Sequence, residues 1–96
     1  MKKLFLILLI APMVGFGQTA KEYFNSGYNK AEAEDYNGAI NDYNKAIGLD
    51  PNYSDAYINR AISKYYTNDL NGACEDANKA KSLGLDASKL IQDVCN

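Results

Sequence analysis

Few side chains in this sequence are suited to catalysis. The 96 residues include no histidine and two cysteines, with 12 acidic residues against 10 basic ones. Without histidine, the commonest general base and metal ligand is missing, and no Ser/His/Asp or Cys/His arrangement can be assembled. The acidic pairs are Glu32 with Asp35 and Glu75 with Asp76. Because a catalytic carboxylate pair also needs a shaped pocket, we interpret these four as solvated helix faces and caps, and we expect no enzymatic activity, no cofactor and no metal site.

The two cysteines are the residues most open to covalent chemistry. Cys74 and Cys95 lie 21 positions apart, whereas a redox motif keeps its two thiols close in sequence. Two cysteines without histidine also fall short of a structural zinc site. In an exported chain an even cysteine count favours a disulfide. Two buried free thiols are the alternative, because free cysteine is among the most buried residue types.

The start of the chain has the three-part layout of a secretory signal peptide. Two lysines are followed by an unbroken apolar run over residues 4–11, and small residues stand at positions −3 and −1 of a cut after Gly17. The alternative is a membrane anchor, which needs about 20 apolar residues, but this run is shorter and Pro12 interrupts it. We therefore predict that residues 1–17 are removed on export, leaving residues 18–96 without a stable membrane span.

The charge balance argues against nucleic-acid binding. Without the two lysines of the predicted signal peptide, the chain has 8 basic and 12 acidic residues, a net charge of −4. Binding to a phosphate backbone needs a basic surface. We expect no nucleic-acid partner.

One stretch of the sequence occurs twice, and its two copies are the elements that must position any functional residues. Residues 35–49 return as residues 69–83, and nine of the fifteen positions are identical. Such a 34-residue period is the sign of a repeat architecture. Each copy is too short to bury an apolar face alone, so we predict that the copies stack on one another.

Apolar residues at three- and four-residue spacing predict five helices. The helices are expected to begin near Ala20, after the cap Asp35, near residues 52–54, after the cap Asp69, and at residue 87 after the cap Asp86. Pro51 is expected to end the second helix and Gly84 the fourth.

This helix–turn–helix unit resembles the tetratricopeptide repeat (TPR). The first copy carries Tyr23, Gly27, Tyr36, Ala39, Tyr43, Ala46 and Pro51, and the second keeps Tyr57, Ala61, Ala73 and Ala80. The second copy departs from the pattern at Leu70, Ala77 and Leu85, as a last repeat closed by a cap would. The ending with Cys95 is similar to that of small exported bacterial TPR proteins, which implies a periplasmic or secreted location.

The resemblance implies an all-α fold in which two helical hairpins and a C-terminal capping helix form a short right-handed α-solenoid. The predicted boundaries within the TPR domain, residues 18–96, are about 20–53 for repeat 1, 54–85 for repeat 2 and 86–95 for the capping helix. Two repeats are fewer than the three usually needed for stability. The cap, a disulfide or self-association must therefore make up the difference.

The family binds peptides along a concave groove lined by the first helix of each repeat. Carried onto this sequence, the groove positions are Phe24, Tyr28, Ala31, Ile58, Asn59, Ile62, Tyr65 and Tyr66. The alternative for Ile58 and Ile62 is a place in the core. The basic-and-asparagine set with which some TPR domains hold a terminal carboxylate is not matched, since only Asn59 fits it.

Two hypotheses of function follow from the resemblance. The first is a non-enzymatic adaptor or scaffold that binds a partner protein or peptide, of unknown identity, in the groove. The second is a structural envelope protein whose exposed apolar surfaces drive self-assembly. The sequence leaves homo-oligomer formation open.

Overall fold

The computed structural model describes residues 18–95. The five helices are α1 (Ala20–Glu32), α2 (Tyr36–Leu49), α3 (Ser54–Tyr66), α4 (Leu70–Ser82) and α5 (Ser88–Val94). This range contains no strand, which confirms the all-α prediction. None of the helices within it is long and apolar enough to cross a membrane. The predicted signal peptide lies outside the described residues.

Short polar side chains fix where the helices begin. Asp35 and Asp69 accept hydrogen bonds from the backbone N–H of Gly38 and Gly72, both at 3.0 Å, as the sequence predicts for N-caps. Thr19 caps α1 in a reciprocal arrangement with Glu22, an S/T-x-x-E signature that we did not predict.

The prediction that Asp86 caps the fifth helix is wrong by one residue. Ala87 is the residue before the helix and makes no side-chain cap. Asp86 instead accepts hydrogen bonds from the backbone N–H and the hydroxyl of Ser88, a local turn that competes with capping. These hydrogen bonds hold the pKa of Asp86 below its ordinary value.

Three helices end in the same way. After α1, α3 and α4 the chain passes through a residue with positive φ, at Glu34 (63°), Asn68 (69°) and Gly84 (106°). The N–H of the following residue then reaches back to a carbonyl five positions earlier, as Asp35 does to Lys30 at 2.8 Å. This is the Schellman arrangement, and it confirms Gly84 as the stop of α4.

Small residues allow the helices to pack closely. α1 packs on α2, α3 on α4, α2 on α3, and α5 on α4, which gives a solenoid-like row of hairpins. The fully buried alanines are Ala39, Ala46, Ala56, Ala61, Ala73, Ala77 and Ala80. The helix pairs therefore meet through methyl groups, as the repeat pattern predicts.

The two repeats fill the same space in different ways. In repeat 1, the fully buried ring of Tyr43 lies against Gly27, where an added Cβ would come within 2.8 Å of Tyr43 Cε1. The positions 34 residues later are Ala61 and Ala77, both fully buried. A glycine–tyrosine pair in one repeat is thus replaced by an alanine–alanine pair in the other, which explains why Ala77 departs from the aromatic pattern.

The hydroxyl of Tyr43 is buried without a hydrogen-bond partner in the described part of the chain. Burial, with added repulsion from Tyr28, Glu32 and Asp42, raises the pKa of Tyr43 to about 12. Because the pKa in the folded state lies above the ordinary value of 10, the fold disfavours the ionised phenol. Its contribution to stability is complete below pH 10 and is lost as the pH rises toward about 12.

We expect Tyr43→Phe to keep or raise stability at pH 7, by up to about 1 kcal/mol, because it removes an unsatisfied buried hydroxyl while keeping the ring. The variant should also lose less stability than the wild type between pH 9 and pH 11. Urea unfolding at pH 7, 9 and 11 measures the two effects, with Tyr66→Phe as a control that removes an exposed hydroxyl. A Tyr43→Phe variant less stable than the wild type at pH 7 would show that the hydroxyl is satisfied after all.

The far end of the solenoid is closed by α5. Val94 is buried with Ala61, Ala73 and Ala77, and partly buried Leu90 and Ile91 pack against this cluster. Cys74 on α4 is joined to Cys95 by a disulfide, with an S–S distance of 2.11 Å and a Cα–Cα distance of 5.0 Å. Of the two alternatives left open by the sequence, the structure contains the bonded one.

Candidate functional site

The candidate site is the face formed by α1 and α3, which contact one another directly and on which the sequence predicts a groove. Four of the eight predicted groove side chains are exposed: Tyr28 (47%), Ile62 (38%), Tyr65 (42%) and Tyr66 (59%). The other four, Phe24, Ala31, Ile58 and Asn59, are partly buried. The structure therefore places the predicted residues on the two helices of the groove, but it divides them into an exposed set and a supporting set.

One end of the groove is built on Phe24. Its ring lies 6.4 Å from that of Tyr28 (centroid to centroid), 5.7 Å from that of Tyr43 and 5.2 Å from that of Tyr53. Phe24 thus connects the groove to the core of repeat 1 and fixes the exposed ring of Tyr28 from below. Tyr53, which precedes α3, was not predicted to contribute to the groove. The only feature of the sequence that could have indicated this role is an aromatic residue just before the third helix.

The middle of the groove comes from α3. Ile58 is partly buried and Ile62 is exposed, so neither belongs to the buried core that the sequence left as an alternative. The side-chain amide of Asn59 donates a 2.8 Å hydrogen bond to the carbonyl oxygen of Asp55 on its own helix. This local bond occupies one of the amide hydrogens that a bound peptide would otherwise use.

The other end of the groove is a cluster of tyrosines. The rings of Tyr36 and Tyr66 stack with centroids 4.8 Å apart and planes 13° from parallel. Tyr65 meets Tyr66 edge to face at 5.4 Å. The sequence identified Tyr36 only as part of the repeat pattern, because nothing in that pattern shows that the start of α2 meets the end of α3.

The side of α1 and α3 away from the groove carries a polar network that repeats every 34 residues. Lys30 Nζ lies 3.0 Å from Asp42 Oδ2, and Lys64 Nζ lies 3.0 Å from Asp76 Oδ2. Ser26 donates a 2.6 Å hydrogen bond to Asp42 in repeat 1. At the matching position in repeat 2, an arginine contacts both carboxylate oxygens of its aspartate.

That arginine, Arg60, forms the strongest link of the network. Its Nε and Nη2 donate hydrogen bonds of 2.7 Å to the two carboxylate oxygens of Asp76, while Nη1 donates to Asn44 of repeat 1 at 2.8 Å. The hydrogen bond to Asp76 raises the pKa of Arg60, which outweighs the effect of burial. The prediction that Asp76 is solvated is therefore wrong, since only 4% of the residue is exposed.

Asp42 shows how the network controls ionisation. Burial acts to raise the pKa of its carboxyl group, but the hydrogen bond from Ser26 and the nearby Lys30 outweigh that effect and hold the pKa below its ordinary value. Because the folded state favours the carboxylate, this contribution to stability is present above the ordinary pKa and is lost as the pH falls through the lowered one.

A shallow depression lies on the outer side of α1. It is lined by Glu22, Asn25, Ser26, Asn29, Lys30, Ala33 and Asp35. The residues 34 positions after Glu22 and Asn29 are Ala56 and Ser63, both fully buried against repeat 1. Repeat 1 therefore carries polar side chains where repeat 2 is covered by its neighbour, as a terminal face does.

The described residues suit the groove to binding. No group of three or more histidine, cysteine or acidic residues in this range is arranged to hold a metal ion. The exposed side chains of the groove are aromatic or aliphatic, which is typical of surfaces that bind other proteins.

Comparison with known proteins agrees with the geometry. The family model for the TPR repeat matches residues 27–68, which run from the middle of α1 to the turn before α4. A search of curated proteins finds no significant match to the chain.

Proposed function

Since this chain is a tetratricopeptide-repeat protein and therefore a protein–protein interaction module, we propose that it is an exported adaptor that binds a segment of a partner protein along the groove between α1 and α3. One observation carries the proposal: Tyr28, Ile62, Tyr65 and Tyr66 are all large, apolar and exposed on these two helices. Covering the apolar surface of these side chains with a partner removes it from water, which favours binding. The adaptor acts by binding alone and has no enzymatic role.

The groove is ready to bind without rearrangement. Phe24 supports Tyr28 from the core, and Tyr36 supports Tyr66 by stacking. Rings already fixed by neighbours lose little conformational entropy when a ligand covers them. Tyrosine is also enriched among the residues that dominate binding energy at protein interfaces.

Two features support export. The first 17 residues have the layout of a signal peptide, and the disulfide between Cys74 and Cys95 is of the kind that persists in oxidising compartments. We propose the periplasm or the outside of a bacterial cell as the location. N-terminal sequencing of the exported product should give Gln18 as its first residue; an intact Met1 would rule out this processing.

The groove hypothesis predicts that Tyr28→Ala combined with Ile62→Ala abolishes capture of the partner. Each change removes an exposed apolar side chain and leaves the buried alanines untouched, so the domain should stay folded. The measurement is affinity capture from a cell-envelope extract with the oxidised protein, residues 18–96, as bait. Circular dichroism checks that the variant is helical.

The matched control is Leu49→Ala combined with Leu70→Ala. These leucines are 58% and 43% exposed but lie on α2 and α4, so capture should be unchanged. If the folded groove variant retains its partner, the groove is not the binding surface. If the wild type instead forms concentration-dependent oligomers in sedimentation and the groove variant is monomeric, the protein is a self-assembling envelope component.

A further inference from the structure

We propose that the partner segment in the groove is basic: a lysine or arginine flanked by apolar residues, with its cation against Tyr65 and Tyr66 and beside Glu32 and Glu34. This inference rests on the proposed function and specifies the chemistry of the partner.

The ring of Tyr66 is presented in a fixed orientation. At 59%, it is the most exposed large apolar side chain within residues 18–95. One face stacks on Tyr36, with centroids 4.8 Å apart, and the ring of Tyr65 lies nearly perpendicular to it, with centroids 5.4 Å apart. A cation over the face of such a ring is attracted by its quadrupole, so the exposed tyrosines suit the stem and charge of a lysine or arginine.

Two carboxylates lie close to Tyr36 along the chain. Glu32 is the last residue of α1, and Glu34 lies two positions before Tyr36, the first residue of α2. Both are exposed, and neither forms an ion pair within residues 18–95. Burial first, and then Glu34, Tyr66 and Glu32, raise the pKa of Tyr36, which agrees with carboxylates close to the stacked rings.

Local folding does not explain why these two residues are acidic. Glu32 lies at the C-terminal end of α1, where the helix dipole disfavours negative charge. Glu34 has φ of 63°, whereas the matching position in repeat 2 is Asn68, a residue type that tolerates this conformation better. Neither carboxylate therefore stabilises the helix end that carries it.

The cations that lie near this end of the groove along the chain are already paired with other carboxylates. Lys30 is paired with Asp42, while Arg60 and Lys64 are both paired with Asp76. Lys21 is at the start of α1, eleven positions before Glu32, which is roughly 16 Å along the helix. The aromatic end of the groove is thus acidic, and charge complementarity favours a basic segment there.

The test begins with selection of a phage-displayed library of random 12-residue peptides on the immobilised oxidised protein, residues 18–96. The peptides enriched should carry lysine or arginine next to apolar residues. A labelled synthetic copy of one enriched peptide is then titrated by fluorescence anisotropy. Its affinity should fall with added salt, because exposed charge pairs are screened.

Single substitutions locate the cation. Glu32→Gln or Glu34→Gln should weaken the peptide by about threefold to fivefold at low salt. Glu75→Gln makes the same change in net charge on α4, which does not line the groove, and should leave the affinity unchanged. When the basic residue of the peptide is replaced by norleucine, the peptide should bind the wild type and the Glu32→Gln variant with equal affinity.

The outcomes separate this inference from the proposed function. If the enriched peptides are acidic or neutral but lose binding in the Tyr28→Ala, Ile62→Ala variant, the groove is a binding site and the basic partner is wrong. If basic peptides bind with equal affinity to the wild type and to both glutamate variants, the inference is also wrong. If no enriched peptide depends on Tyr28 and Ile62, the groove function itself fails, and this inference fails with it.

Discussion

Removing the disulfide between Cys74 and Cys95 is expected to lower the free energy of unfolding by about 3 kcal/mol. The bond closes a loop with a sequence separation of 21 residues, and the chain-entropy argument gives that magnitude for a loop of this size. Loss of the disulfide should strongly affect the docking of α5, because this helix has only seven residues. A helix that short is not stable alone and stays in place only through its contacts and the disulfide.

The comparison uses the oxidised protein, the same protein with reductant, and Cys74→Ala combined with Cys95→Ala. Urea unfolding followed by circular dichroism should give lower midpoints for the last two. Reductant should not change the midpoint of the double alanine variant, which controls for effects of the reductant itself. Intact mass before and after reduction, two mass units apart, verifies the oxidation state.

Limited proteolysis with trypsin, which cleaves after lysine, tests how breaking the disulfide lowers stability. With the disulfide broken, α5 should open more often and the peptide bond after Lys89 should be cleaved faster than bonds within α2. If the oxidised and reduced proteins unfold at the same urea concentration and are cleaved at the same rate, packing of Leu90, Ile91 and Val94 is sufficient to hold α5 without the bond.

The sequence predicts the helices well because their signals are local. Asp35, Asp69 and Gly84 stand within a few residues of the backbone groups they satisfy, so composition at the helix ends is sufficient. Asp86 fails for an equally local reason: a serine two residues on offers its own hydrogen bonds. Here two local interactions compete, and the sequence does not show which one wins.

Contacts between repeats are harder to predict. The stack of Tyr36 on Tyr66 joins residues 30 positions apart and depends on how far the start of α2 overlaps the end of α3. The groove was predicted from α1 and α3 alone, so its supporting residues on other segments were missed. Phe24 and Tyr28 were both predicted to line the groove, but the sequence did not indicate which of the two would be exposed.

The buried network of Asp42 and Asp76 could have been found from the sequence. Ser26 and Arg60 each precede an aspartate by 16 positions, and the two aspartates are 34 positions apart. Reading charges one helix at a time hides this relation, because the partners lie on the two different helices of a hairpin. Polar residues that recur with the repeat period should therefore be examined as pairs across the hairpin.

Disrupting this buried network is expected to lower the stability of the protein about as much as removing the disulfide. We expect Asp76→Asn to lower the free energy of unfolding by about 3 kcal/mol, because removing one member of a buried ion pair leaves its partners uncompensated. The side chains of Arg60 and Lys64 are only 17% and 18% exposed, so neither cation is well solvated. Unfolding in urea at pH 7 measures the loss.

Asp42→Asn is the matched control in repeat 1, with an expected loss of about 1 kcal/mol, because its partners are a neutral serine and a lysine whose side chain is 44% exposed and can be solvated. Combining Asp76→Asn with Lys64→Met removes one of the two uncompensated cations and should recover about 1 kcal/mol, so the two changes are not additive. Equal losses at Asp42 and Asp76, or no recovery in the combined variant, would show that burial of these charges does not decide the stability of the hairpins. The two repeats differ in two respects: Ser26 of repeat 1 is replaced by Arg60 in repeat 2, which adds a second cation to the carboxylate, and Lys30 is more exposed than Lys64.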